Sequence, residues 1–284
     1  MTVLRILECY RDDHGNEIVY TGAPLAENVR ISFSGHNNRV LIAEDAKIVS
    51  LALEFAGNGG VLTILPTSQR RTGLRLSLRV GHRSRIMIGE NCGTTRRAFI
   101  SAVEGASVSI GADCMLAAGI EIRTDDAHPI YDVRTGRRLN SSESIEIGDH
   151  VWIAKHATIM GGVTIGSGAV IGLGSIVTRS VPNNSIAVGA PARVVRRDIA
   201  WERPMLRSRP PGQSGPGLHE KNEQFWQLTR DMLPTVVPVT QSRRQRLARF
   251  VPGALQPMAR QGLHRAQAIK DRMRRMTASR VGRR

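Results

Sequence analysis

The chain has 284 residues, enough for one large domain or two ordinary ones and for a core that needs no disulfide staples. Forty Lys and Arg against 24 Asp and Glu give a formal charge of +16, unevenly spread: residues 1–198 hold 22 basic and 19 acidic side chains (+3), and residues 199–284 hold 18 and 5 (+13). Cys9, Cys92 and Cys114 share no metal-ligand or redox spacing, no apolar run nears the roughly 18–20 residues of a membrane span, and the first residues are too soon interrupted for a signal peptide, so a soluble, reduced, cytoplasmic chain is expected.

Residues 1–27 read as a short strand pair, the cap that a solenoid end requires. From 28 onward apolar strands alternate with Gly-centred turns. ISFSGHNNRVLI, LEFAGNGGVLTI and LSLRVGHRSRIMI place Gly35, Gly57 and Gly81 seven residues before Ile42, Ile64 and Ile88. Those isoleucines are 22 and 24 residues apart, and Ile110 follows after another 22, as in coils with slightly protruding corners.

Between 145 and 182 the period tightens to six. Ile147, Ile153, Ile159, Ile165, Ile171 and Val177 occupy the first position of successive units, and Gly148, Gly166 and Gly172 the second. Neither a helical nor a strand period explains six. A coil with three short sides does, each side turning one branched aliphatic inward. Three sides make about eighteen residues, so Ile147 stacks on Ile165, Ile153 on Ile171 and Ile159 on Val177. The expected fold is all-β: a parallel β-helix over 28–198 with an aliphatic core, which suits an aromatic content of 4%.

Regularity fails once. Residues 124–144 (TDDAHPIYDVRTGRRLNSSES) are polar and turn-rich, and carry Asp125, Asp126 and His128. A long irregular loop inside a compact fold is usually functional, so chemistry is sought here first. Beyond 198 the composition changes to a Pro/Gly-rich linker over 203–218, a short helix over 219–232, and a basic amphipathic segment over 258–279 with Leu263, Ala266, Ile269, Met273 and Met276 at helical spacing. That basic extension, partly helical or disordered, reads either as a solvated tail or as a contact for an anionic membrane surface at the inner face of the membrane; without a nucleic-acid motif and with few aromatics, nucleic acid is not an expected partner.

The run IGDHVWIAKHATIMGGVTIGSGAVIGLGSIVTRSVPNNSIAVGAPARVVRR closely resembles the left-handed β-helix acyltransferases of the hexapeptide superfamily. The nearest type is the maltose, galactoside and xenobiotic O-acetyltransferases and the capsule or exopolysaccharide O-acetyltransferases. The resemblance implies a homotrimer whose active sites lie between neighbouring subunits, acetyl-CoA as acyl donor, no metal, and a saccharide hydroxyl as acceptor. It makes His128, in AHPI and 24 residues before Trp152, the general base, with Asp125 or Asp126 to fix its tautomer.

For the donor the resemblance implies Trp152 beside the thiol end, the backbone of Gly172 and Leu173 along the pantetheine arm, and Thr178, Arg179, Arg193 and Arg196 near the nucleotide and its phosphates. One departure stands out: no Asn occurs between Asn91 and Asn140, where relatives place an oxyanion donor, leaving a backbone NH, Asn91 or Arg97 as substitutes. His150 and His156 fall at the fourth position of consecutive units and are expected to point outward, as surface or interface residues. Rival readings are an amino-sugar N-acyltransferase, since one His serves an amine as well as a hydroxyl, and a γ-carbonic-anhydrase-like hydratase, for which His150 and His156 are one residue too far apart.

Overall fold

The computed structural model describes residues 2–22, 24–67, 73–203 and 223–230. The amphipathic segment at 258–279, and all of the linker but Arg203, lie outside them. Among the described residues the architecture is a three-faced parallel β-helix. Face I runs through Val29–Phe33, Lys47–Phe55, Leu74–Val80, Ala98–Ala102, Glu121–Arg123, Thr158–Ile159 and Ile176–Val177. Face II runs through Glu17–Tyr20, Arg39–Ile42, Val61–Ile64, Arg85–Ile88, Ser107–Ile110, Ile145–Ile147 and Thr164–Ile165. Face III begins only at Gly93–Thr94 and continues through Met115–Leu116, Trp152–Ile153, Val170–Ile171 and Ile186–Gly189. The helix is left-handed.

The stacking expected from the period of six is found residue for residue: Ile147 pairs with Ile165, Ile153 with Ile171, and Ile159 with Val177. The looser upstream coils share that register. One column on face II runs Ile42, Ile64, Ile88, Ile110, Ile147, Ile165, every side chain buried. Burying each Ile contributes roughly 1.5–3 kcal/mol, so the column is a sizeable share of the apolar core. The core is not wholly aliphatic, because Phe33 stacks on Phe55 at 5.1 Å in the early coils.

Corners explain the small residues. Asn91, Asp113, His150 and His156 all sit at φ between 53° and 60°, a left-handed region where a short polar side chain or glycine is least strained. At Gly57 the reason is closeness instead: a Cβ there would lie 2.6 Å from the His82 amide nitrogen of the next coil.

Two boundaries move. Parallel pairing starts at Glu17–Tyr20 on Arg39–Ile42, so the cap is shorter than residues 1–27 and consists of Thr2–Leu4, antiparallel to Val29–Phe33, and Tyr10–Arg11, antiparallel to Glu17–Tyr20. At the other end the segment after 198 is not all linker and tail. Trp201 and Phe225 are buried, and residues 223–230 close the last coil. The Asn184 side chain donates to the carbonyls of Ile199 and Phe225 at 2.9 and 2.5 Å, and the Thr229 hydroxyl donates to the Asn184 carbonyl at 2.8 Å. The helix expected over 219–232 is one 3-10 turn, Glu223–Phe225, with the rest of its described part non-helical. A solenoid end must cover its last open coil, and that need outweighs helix propensity here.

Candidate active site

The irregular segment leaves the prism at the corner between faces I and II, after Glu121–Arg123 and before Ile145–Ile147. It is a built loop. Asp125 roots it: its carboxylate accepts from the Ser101 hydroxyl and from the Ala127 amide, both at 2.9 Å, and is nearly buried. Asn140 closes the loop. Its side-chain oxygen accepts from the Ile130 amide at 2.7 Å, while its NH₂ donates to the His128 carbonyl at 2.8 Å and to the Asp126 carboxylate at 3.0 Å. Arg138 then ties the loop to the coil before it, pairing through both Nη atoms with the Glu104 carboxylate. Glu104 also accepts from the Ser142 hydroxyl at 2.8 Å. The hydrogen bonds from Arg138, and then from Ser142, hold the Glu104 carboxyl down to about 2.

His128 is exposed on this loop, and only its backbone is engaged: its amide donates to the Asp126 carbonyl at 2.9 Å. Among the described residues its imidazole meets no hydrogen-bond partner. Neither carboxylate expected to fix its tautomer bonds to the imidazole in this structure: Asp125 is turned inward to root the loop and Asp126 accepts from Asn140.

The residues expected to hold the donor lie elsewhere. Trp152 is on face III, half-buried, its ring tilted against Trp201 at 5.9 Å. Gly172 and Leu173 form the corner from face III to face I. The Gly172 amide is spent on the Ala187 carbonyl at 2.8 Å, whereas the Leu173 amide bonds to nothing among the described residues. Thr178 and Arg179 follow the last face I strand, and Arg193 and Arg196 lie on Ala192–Arg196, antiparallel to Ile186–Gly189; all four are exposed. None of the three arginines has a carboxylate within salt-bridge distance among the described residues. One chain thus places His128 and the residues expected to hold the donor on different parts of the prism.

Of the substitutes for the missing Asn, Asn91 is a half-buried corner residue at φ 55°, and Arg97 is exposed where the chain enters face I. His156 is exposed, as expected. His150 is not: Trp201 and Phe225 sandwich its ring at 4.1 and 4.4 Å, and its nitrogens meet the Asp113 carboxylate at 2.6 Å and the Trp201 carbonyl at 3.0 Å. Its outward direction is as read from the repeat, but the segment after 198 folds back over it. With both nitrogens engaged, His150 is structural, and no three His, Cys, Asp or Glu are grouped to hold a metal among the described residues.

Sequence reasoning missed Asn140, Arg138 and Glu104 as the loop's fastenings. The period carries no information inside the loop; the one available sign was that Asn140 is its only Asn.

A three-faced parallel prism with one protruding, pinned loop defines the left-handed β-helix class. A family model described as bacterial transferase hexapeptide (six repeats) matches residues 144–179. The chain is 36% identical over 138 residues to the polysialic acid O-acetyltransferase of Neisseria meningitidis, covering 49% of this chain and 62% of that one. It is 42% identical over 120 residues to the polysialic acid O-acetyltransferase of Escherichia coli O1:K1 / APEC, covering 42% and 39%. It thus spans less than two thirds of the length of either curated relative. Among solved structures, the polySia specific acetyltransferase NeuO superposes with a TM-score of 0.62 at 31% identity, over 67% of this chain and 86% of that one. The chain belongs to the hexapeptide-repeat transferase family.

Proposed function

We propose that the protein is an acetyl-CoA-dependent O-acetyltransferase acting on a hydroxyl of a saccharide or polysaccharide precursor. The observation that carries the reading is His128, the free imidazole on a loop that Asp125, Asn140 and the Arg138–Glu104 pair hold in one place. Relatives that share this fold at 31–42% identity are O-acetyltransferases of a polysaccharide by name.

In this reading His128 takes the proton from the acceptor hydroxyl as that oxygen attacks, and later delivers it to the departing sulfur. An imidazole can both accept and donate a proton, which suits both transfers. Acetyl-CoA supplies an activated acyl group as its thioester. The donor set fits it: Arg179, Arg193 and Arg196 are exposed cations without carboxylate partners among the described residues, and guanidinium groups match phosphate oxygens two bonds at a time. Trp152 walls the thiol end and the Leu173 amide is available to the pantetheine arm. The separation of His128 from these residues in one chain supports a homotrimer, in which the loop of one subunit meets the donor residues of the next.

Transfer takes place in the cytoplasm, with the basic extension bringing the enzyme to the inner face of the membrane. The test is radiolabelled acetyl transfer from acetyl-CoA to a panel of saccharides, alongside the mass of the assembly in solution. Label incorporated into an ester by a trimer is the expected result; a monomer that transfers no label to any saccharide overturns the reading.

A further inference from the structure

Face I carries a second feature. A depression of about 340 Å³ lies on its outer side, lined by Arg30, Ser32, Glu54, Ser77, Arg79 and Phe99 among others. These side chains fall in two rows fixed by strand register. One row is Arg30, Ala52, Ser77, Phe99, Glu121; the other is Ser32, Glu54, Arg79, Ser101, Arg123. At ~4.8 Å per strand, each row runs ~19 Å along the prism. The second row ends at the root of the loop: Ser101 donates to Asp125, and Arg123 lies 3.8 Å from the same carboxylate.

The rows carry more positive charge than their own carboxylates neutralise. Arg30 has no carboxylate in range among the described residues, and Arg79 reaches Glu54 at only 3.6 Å. The Arg123 guanidinium lies 5.8 Å over the Phe99 ring, and its buried Nε has no hydrogen-bond partner. Arg75, paired with Ser50, and Arg97, just before Ala98, add two more cations on the entry side of the same face. Arg123 is also within 3.7 Å of Glu121, so five arginines stand against Glu54, Glu121 and Asp125 on this face, with the half-buried Phe99 ring among them. Arginine forks bind carboxylates, and the face of a phenyl ring offers an apolar platform to the C–H side of a sugar.

We propose that this groove is an extended acceptor site for an acidic saccharide chain, which lies along face I with one end at the His128 loop. The inference rests on the acetyltransferase reading for the identity of the loop, and adds to it the charge of the acceptor and a reason to prefer long chains. The groove holds the chain by its carboxylates while a hydroxyl further along meets the imidazole.

The test is native affinity electrophoresis of the full chain in gels containing polysialic acid, polygalacturonate or neutral dextran, without acetyl-CoA, at low and high salt. Wild type is expected to be retarded by at least one acidic polymer and not by dextran, with retardation falling as salt rises. The Arg30→Ala/Arg79→Ala double variant is expected to weaken that binding tenfold or more, and Phe99→Ala severalfold, with thermal melts and assembly mass as wild type. In turnover, the double variant is expected to lose the preference for a long acidic acceptor over its trisaccharide. No retardation by any acidic polymer, unchanged binding in the double variant, equal retardation by single-stranded DNA, or a changed assembly mass (a second copy of the chain covering this face) would each overturn the proposal. Groove-dependent binding without acetyl transfer would instead remove the acetyltransferase reading and leave the acidic-chain site standing.

Discussion

Asn140 is the sharpest place to perturb the loop without touching the imidazole. It makes three bonds that converge on the segment bearing His128: from the Ile130 amide, to the His128 carbonyl and to the Asp126 carboxylate. Such bonds are each worth about 0.5–1.5 kcal/mol, and at this half-exposed site water replaces part of each, so about 1–2 kcal/mol of local order is at stake. That is too little to unfold the prism; a melt is expected to shift by less than about 6 °C. The effect on chemistry is larger, because a general base displaced by about 1 Å costs on the order of 100-fold in rate. Asn140→Ala is therefore expected to lower kcat by about 10–100-fold, with acetyl-CoA affinity within about twofold. Asn140→Asp keeps the acceptor for Ile130 but sets a carboxylate against the His128 carbonyl and Asp126, and is expected to be at least as damaging. The assay is release of CoA thiol at saturating acetyl-CoA and acceptor, with a pH–rate profile to separate misplacement of the base from simple loss of protein. A kcat within twofold of wild type in both variants would refute the reasoning.

Three further outcomes are expected. Glu104 has a folded pKa held down to about 2 by Arg138 and Ser142, so its contribution is complete above about pH 4.5 and disappears as pH falls through 2. Hydrogen exchange of amides in 130–142, corrected for its intrinsic pH dependence, should lose protection in that window, and should not do so in Glu104→Gln. Of the three thiols, Cys9 is exposed while Cys92 and Cys114 are buried, and burial pushes the Cys114 thiol up. A thiol reagent should therefore find one reactive Cys in the native protein and three after denaturation. Trp201→Ala strips the cover from His150 and removes the indole hydrogen bond to the His150 carbonyl at 2.9 Å, at a cost of about 3 kcal/mol read in a thermal melt. An unchanged melt would mean that the segment after 198 does not pack on the prism.

The prism was legible because its cause is periodic. An inward Ile every six residues is a repeated physical demand, and the column from Ile42 to Ile165 follows from it coil by coil. The loop was legible as an interruption, and His128 as its one imidazole. Its fastenings were not, because Asn140, Arg138 and Glu104 come together through backbone turns whose geometry no spacing encodes. The partners of Asp125 and Asp126 were hidden for a related reason: adjacency in sequence says nothing about which carboxylate turns inward to meet Ser101. His150 shows the same limit from another side. The repeat correctly pointed it out of the coil, but not that Trp201, 51 residues later, would stack on it. Periodicity reads the neighbours that every coil shares, and misses contacts that occur once.

The measurement that bears most directly on the account is the turnover of His128→Ala with acetyl-CoA and an acceptor saccharide, beside direct binding of acetyl-CoA to the same variant. Losing the proposed base should cost about 10²–10⁴ in kcat, while the affinity for acetyl-CoA, which the proposal assigns to residues on other parts of the prism, stays within about twofold. A His128→Ala protein that transfers acetyl groups at close to the wild-type rate would contradict the account at its centre.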